Sequence, residues 1–125
     1  MARWHLDSRR KPTGGLKKAH SKKKRMQRGR DFVPAFVASA EKRKAIRVRG
    51  GNTKIAVRKA SHVNVKTPEG MKRVKIKTVL ENPSNPNWVR RNIITKGVVV
   101  DTEIGKVRIT SRPTQDGVVN GVIVE

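Results

Sequence analysis

The 125-residue chain has no cysteine. Disulfides and thiolate metal sites are therefore excluded, and the redox compartment stays open. Tyrosine is missing too, and the aromatic residues reduce to Trp4, Phe32, Phe36 and Trp88. Proteins that read splayed nucleic-acid bases stack them on aromatic platforms. A sheet of this chain has none to offer, so recognition of nucleic acid by backbone and shape is expected. No apolar run approaches the roughly 20 residues of a membrane span. The N-terminus shows no apolar core of a secretory signal, and the expectation is a soluble intracellular protein. Acidic residues are scarce: nine, against 31 Lys and Arg.

The result is a net charge of +22. A field of that size attracts polyanions and speeds association with them. It is unevenly spread. Residues 1–92 carry 27 basic and 5 acidic side chains, whereas residues 93–125 carry 4 of each. From Arg9 to Arg30 there are eleven basic residues and no acidic one. Such charges cannot be buried unpaired without a cost of several kcal/mol. The segment either stays in water or meets an external anion. Leu6, Leu16 and Met26 are too widely spaced to form an apolar stripe, so this arm is expected to be disordered alone. Ser21–Arg28 could form a short helix ending at Gly29, opposed by like charges at i,i+4.

Beyond about residue 44 the texture changes. Val and Ile total 25 against three Leu, a ratio that favours strands. KAIRVRGGNTKIAVRK reads as a hairpin turning at Gly50-Gly51-Asn52. Period-two alternation is expected to send Arg47, Arg49, Lys54 and Arg58 to one face, and Arg73, Lys75 and Lys77 to one face of a later strand. HVNVK is another strand, and TPEG a β-turn. NPSNPN is a loop. Further strands are expected at residues 93–100, with a break near Gly97, at 104–110 and at 118–124, with SRPTQDG joining the last two. The fold predicted is mainly β: a small closed β-barrel of about six to seven short strands, with a long basic, irregular N-terminal extension. Residues 1–43 would be the extension and linker, and 44–125 the barrel domain.

Each basic cluster has an ordinary alternative, a solvated face, but such faces usually carry both signs of charge. The arm is therefore read as phosphate-binding through Arg3, Arg9, Arg10, Lys11, Lys17, Lys18, Lys22, Lys23, Lys24, Arg25, Arg28 and Arg30. Trp4 has no core to join there and is a candidate for stacking on a base. Trp88 suits core or rim packing. His5, His20 and His62 are scattered without metal-site spacing. Asp101 and Glu103 read as a turn or a salt link to Lys106. No phosphate-binding loop motif or nucleophile arrangement is present, so no catalytic residue, metal or cofactor is expected. A peripheral membrane role is a weaker reading still, since no amphipathic apolar face accompanies the basic run, and no membrane partner is expected.

WHLDSRRKPTGG, IRVRGGNTKIAVR, NPSNPNWVRRNIITKG and TSRPTQDGVVNGVIVE together resemble the small-subunit ribosomal protein eight-e family, and the chain's length resembles the archaeal form. The resemblance implies a non-enzymatic ribosomal component in the cytoplasm. Its expected partners are small-subunit rRNA and neighbouring small-subunit proteins, without a small-molecule substrate or homo-oligomer. It carries RNA contact to Arg9, Arg10, Lys11, Thr13, Gly14 and Gly15 in the arm. In the hairpin it points to Arg47, Arg49, Gly50, Gly51 and Asn52, and then to Arg90, Arg91 and Arg112. The stretch DFVPAFVASAEKRK departs from the family pattern; a helix over residues 35–44 is expected there, with Phe32 and Phe36 docking on the barrel. The competing reading is a free-standing basic nucleic-acid binder, such as an RNA chaperone, a chromatin protein or a ribosome-assembly factor.

Overall fold

The computed structural model describes residues 3–124. They form two compact units, one ending at Phe32 and one starting at Val33.

In the first unit every described side chain is exposed except Gln27 and Gly29. Backbone pairing takes the place of a core. His5 N–H donates to the Gln27 carbonyl at 2.7 Å and Gly29 N–H to that of Arg3 at 2.7 Å. Lys11-Pro12-Thr13-Gly14 closes a tight turn, with Gly14 N–H on the Lys11 carbonyl at 2.9 Å. Gly14 then takes φ +86°, a left-handed conformation that glycine adopts without steric cost. The helix expected over Ser21–Arg28 contracts to a 3-10 turn, Arg25–Gln27. Like charges one turn apart oppose anything longer.

Among the described residues the second unit holds nine strands, two one-turn α-helices and a 3-10 turn, Arg49–Gly51. The strands are β1 (Ala35–Val37), β2 (Lys42–Arg47), β3 (Thr53–Ala60), β4 (His62–Thr67), β5 (Gly70–Glu81), β6 (Ile93–Ile94), β7 (Val99–Thr102), β8 (Gly105–Ile109) and β9 (Asn120–Ile123). The helices are α1 (Asn87–Arg90) and α2 (Pro113–Asp116). A closed barrel forms, as expected, in the order β4-β5-β7-β8-β9. It has five strands, not six or seven, because the predicted hairpin belongs to a second sheet, β2-β3-β1-β6.

That second sheet corrects the helix expected over residues 35–44. β1 inserts between β3 and β6, pairing Phe36 with Lys59 in parallel and with Ile93 in antiparallel register. Both edges of AFV are thus hydrogen-bonded, which a helix could not offer its neighbours. Phe36 accordingly packs within this sheet, while Phe32 lies in the first unit and is exposed.

Period two fills the barrel. Val63, Val65, Val74, Ile76, Val79, Val100, Val107 and Ile109 point inward and are buried. These short branched side chains suit a narrow interior. At one inward position even they are too large: a Cβ on Gly121 would lie 2.5 Å from Val107 Cγ1. β5 serves the barrel along twelve residues by bulging between Ile76 and Thr78. Lys77 and Thr78 are therefore both exposed before Val79 turns inward again.

Candidate nucleic-acid interface

The arm presents its cations to solvent. Arg3, Arg9, Arg10, Lys11, Lys17, Lys18, Lys22, Lys23, Lys24, Arg25, Arg28 and Arg30 are all exposed, as are Thr13, Gly14 and Gly15. Arg10 also braces the tight turn, its Nη1 donating to the Gly14 carbonyl at 2.8 Å. Trp4 is not isolated: the Lys23 ammonium sits 5.3 Å from its ring centroid, a cation–π distance.

The β2–β3 hairpin is basic along its length, and the sequence from Lys42 to Pro68 contains no acidic residue. Its register corrects the expected single basic face. Arg47 lies opposite Thr53, and Lys54 opposite Ile46. Directly opposed residues share a face, so Arg47 lies with Thr53, Ile55 and Val57, whereas Lys54 and Arg58 project from the other side. The cause is the five-residue connection, Val48–Asn52, closed by Val48 N–H on the Asn52 carbonyl at 2.8 Å. An odd connection sets residues of the same parity opposite one another, and Arg47 and Lys54 differ in parity. Arg49, Gly50, Gly51 and Asn52 make the exposed tip. On β5 the expected split holds: Val74 and Ile76 are buried, and Arg73 and Lys75 point outward.

Arg90 and Arg91 are exposed at the end of α1. Their position is set by asparagines. Buried Asn82 donates through Nδ2 to the Ile93 carbonyl at 3.2 Å. Its Oδ1 accepts from Ser84 N–H at 3.0 Å and from the Thr95 hydroxyl at 3.2 Å. Asn92 Oδ1 accepts from Val79 N–H at 3.2 Å, tying the far end of the loop to β5. Val89 packs on the core and Trp88 is half-buried beside it. Arg112 is exposed before α2, its N–H held by Asp116 Oδ2 at 2.7 Å.

Glu41 was not singled out by sequence reasoning. It is the only acidic residue between Asp31 and Glu69, the one signal that could have marked it. Its Oε1 accepts from Arg73 Nη2 at 2.7 Å and from the Ser61 hydroxyl at 3.2 Å, and lies 3.4 Å from His62 Nδ1. Arg43 reaches Oε2 at 3.5 Å. Partial burial pushes the carboxyl up. The Arg73 hydrogen bond and charge, then the Ser61 and His62 hydrogen bonds, pull it down by more, and it ends below its ordinary value. Glu41 thus ties the segment leading into β2 to β4 and β5. Asp101 stands in register with Lys106, and Glu103 is exposed in the turn after it. Among the described residues no three His, Asp or Glu side chains are grouped to hold a metal, and no helix is long and apolar enough to cross a membrane.

Comparison with known proteins places this geometry. The model of the family described as ribosomal protein S8e matches residues 4–124. The small ribosomal subunit protein eS8 of Staphylothermus marinus is 48% identical, over 100% of this chain and 99% of the relative. That of Hyperthermus butylicus is 45% identical over 100% and 94%, and that of Methanococcus vannielii 40% over 99% and 98%.

Proposed function

The chain belongs to the ribosomal protein S8e family, and on that premise we propose that it is a structural constituent of the small ribosomal subunit that binds and stabilises folded rRNA. The family is one of ribosomal proteins, not of enzymes. The observation that carries the reading is the arm: eleven cations from Arg9 to Arg30, all exposed, with no acidic residue among them. The missing negative charge is rRNA phosphate. Each phosphate neutralised releases condensed counterions, which drives binding and makes it sensitive to salt. The hairpin tip and the exposed cations of β2 and β3 supply a second set of phosphate contacts, and Arg90 and Arg91 a third. With so few aromatic side chains, the RNA is held by backbone and A-form shape. Neighbouring small-subunit proteins complete the surroundings, in the cytoplasm.

The test is sedimentation of a lysate at moderate and then high salt. Co-migration with small subunits at about one copy each, persisting at high salt, is the result expected of a protein built into the folded particle, since bare phosphate contacts alone would weaken steeply with salt. Protein remaining at the top of the gradient would refute the ribosomal reading in favour of a loose binder. Within the particle, Arg47→Glu combined with Arg49→Glu should weaken rRNA binding far more than Asp101→Ala. Equal small effects would remove the hairpin from the interface.

A further inference from the structure

We propose that the outer face of the second sheet holds one unpaired rRNA nucleotide, its base stacked on Phe36 and its phosphates on Lys42, Lys44, Arg58 and Lys59. The inference rests on the rRNA-binding reading above and goes beyond it by adding one base contact to backbone recognition.

The barrel strands carry no aromatic side chain, and Phe36 falls in a stretch whose sequence suggests a helix. As part of strand β1 it belongs to a sheet instead. Ala35 and Val37 turn to the core, so Phe36 between them faces the other way. It is half-buried and lies outside the core cluster. With Pro34 it forms the apolar part of a cleft of 440 Å³. Small-ligand sites occupy about 300–1,000 Å³.

A register slip gathers cations around that cleft. Lys42 stands opposite Lys59 but Arg43 opposite Val57, which leaves Arg58 as an extra residue in β3. Val57 and Ala60 both belong to the core, so Arg58 and Lys59 between them both face outward. Strict alternation would have turned Lys59 inward. Lys44, opposite Ala56, shares the face of Arg58. Lys42, Lys44, Arg58 and Lys59 all line the cleft, and among the described residues no acidic one does. Like charges directly opposite, as Lys42 and Lys59 are, destabilise a sheet, and an anion between them removes that cost. Glu41, next in sequence to Lys42, is taken up by Arg73 and Ser61. Arg43 also borders the cleft but reaches Glu41 at 3.5 Å, so it is left out of the site. Among the described residues the side chains of the other four cations make no ion pair. An aromatic ring beside four such cations matches a unit that has both a π-face and negative charge, a nucleotide. Aromatic stacking accepts any base, and an unpaired nucleotide is the form of RNA that can reach the ring.

The test uses small subunits reconstituted with the full chain carrying Phe36→Leu, with each rRNA base probed chemically. One base protected by the unsubstituted protein is expected to become reactive, and Phe36→Tyr, which keeps the ring, to protect it again. Affinity for rRNA should fall roughly fivefold or more. The slope of log affinity against log salt should stay the same, because no phosphate contact is lost. Lys42→Gln with Lys59→Gln, both exposed, should expose the same base and make that slope shallower by about 0.7 per phosphate lost. Affinity and base reactivities unchanged by Phe36→Leu would overturn the site. Should that variant lose its cooperative melting transition, the two-lysine variant decides, and an unchanged slope with no newly reactive base overturns the site. Stabilisation of the free protein by AMP, lost with Phe36→Leu while no rRNA base changes reactivity, would give the cleft to a free nucleotide and overturn the rRNA assignment. All these outcomes leave the ribosomal reading intact. If the unsubstituted protein itself fails to sediment with small subunits, that reading falls, and this site with it.

Discussion

Glu41 is one carboxylate serving Arg73, Arg43, Ser61 and His62 at once. A lowered carboxyl pKa stabilises the fold only while the group is ionised. Its contribution is thus full above the ordinary carboxylate value and disappears as pH falls through the lowered one. Glu41→Gln should cost about 1 kcal/mol at neutral pH, because a partly exposed group gives up its charge-assisted hydrogen bonds. Melting temperatures of the two proteins should converge as the pH is taken well below 4, roughly the carboxylate range. A constant gap across that window would mean that ionisation of Glu41 plays no part. Gly121 makes the opposite kind of residue-scale demand, one of space. Gly121→Ala places a methyl 2.5 Å from Val107 Cγ1 and 2.9 Å from the Arg108 carbonyl oxygen. Overpacking of that kind costs about 1–3 kcal/mol, readable by urea denaturation.

The asparagine-rich loop between β5 and β6 sets two functions apart at the scale of the element. Asn82→Ala leaves the Ile93 carbonyl, Ser84 N–H and Thr95 hydroxyl without their shared partner. A drop of about 2 kcal/mol in stability is expected, with weaker rRNA binding because the mount of Arg90 and Arg91 is loosened. Arg90→Gln with Arg91→Gln should weaken binding alone and leave the melting curve in place, since both side chains are exposed. If the pair of glutamines destabilised the fold instead, the arginines would be structural. Elements such as this were legible to different degrees. β4, β5, β7, β8 and β9 follow from period-two Val and Ile patterns bounded by turn residues, which local sequence carries. α2 was missed, although Pro113 at its start and Gly117 after its end are the usual helix punctuation. β1 was misread because three residues of AFV have no period to show. Only the distant strands β3 and β6 make it a strand. The hairpin's two-sidedness was hidden in the length of a loop, where one residue more or less reverses which side chains share a face.

Across the whole molecule, the acid-poor arm and the apolar core fall in different units. Residues 1–32 hold twelve basic and two acidic side chains. The buried apolar side chains of the core lie in the second unit. The body should therefore fold without the arm. A chain starting at Val33 is expected to keep a single cooperative thermal transition at nearly the full-length temperature, because every strand and the packed cluster remain. Its rRNA binding should change in two ways. Affinity falls, and the plot of log affinity against log salt becomes shallower by about 0.7–0.9 for each phosphate that the arm had neutralised. The change in slope counts how many of the arm's cations meet phosphate, which a drop in affinity alone cannot do. A slope matching that of the full chain would mean that the arm meets no phosphate and that the body carries the binding. Absence of the cooperative transition would mean instead that the arm is part of the fold. The exposure of every described cation in the arm argues for the shallower slope with the transition retained.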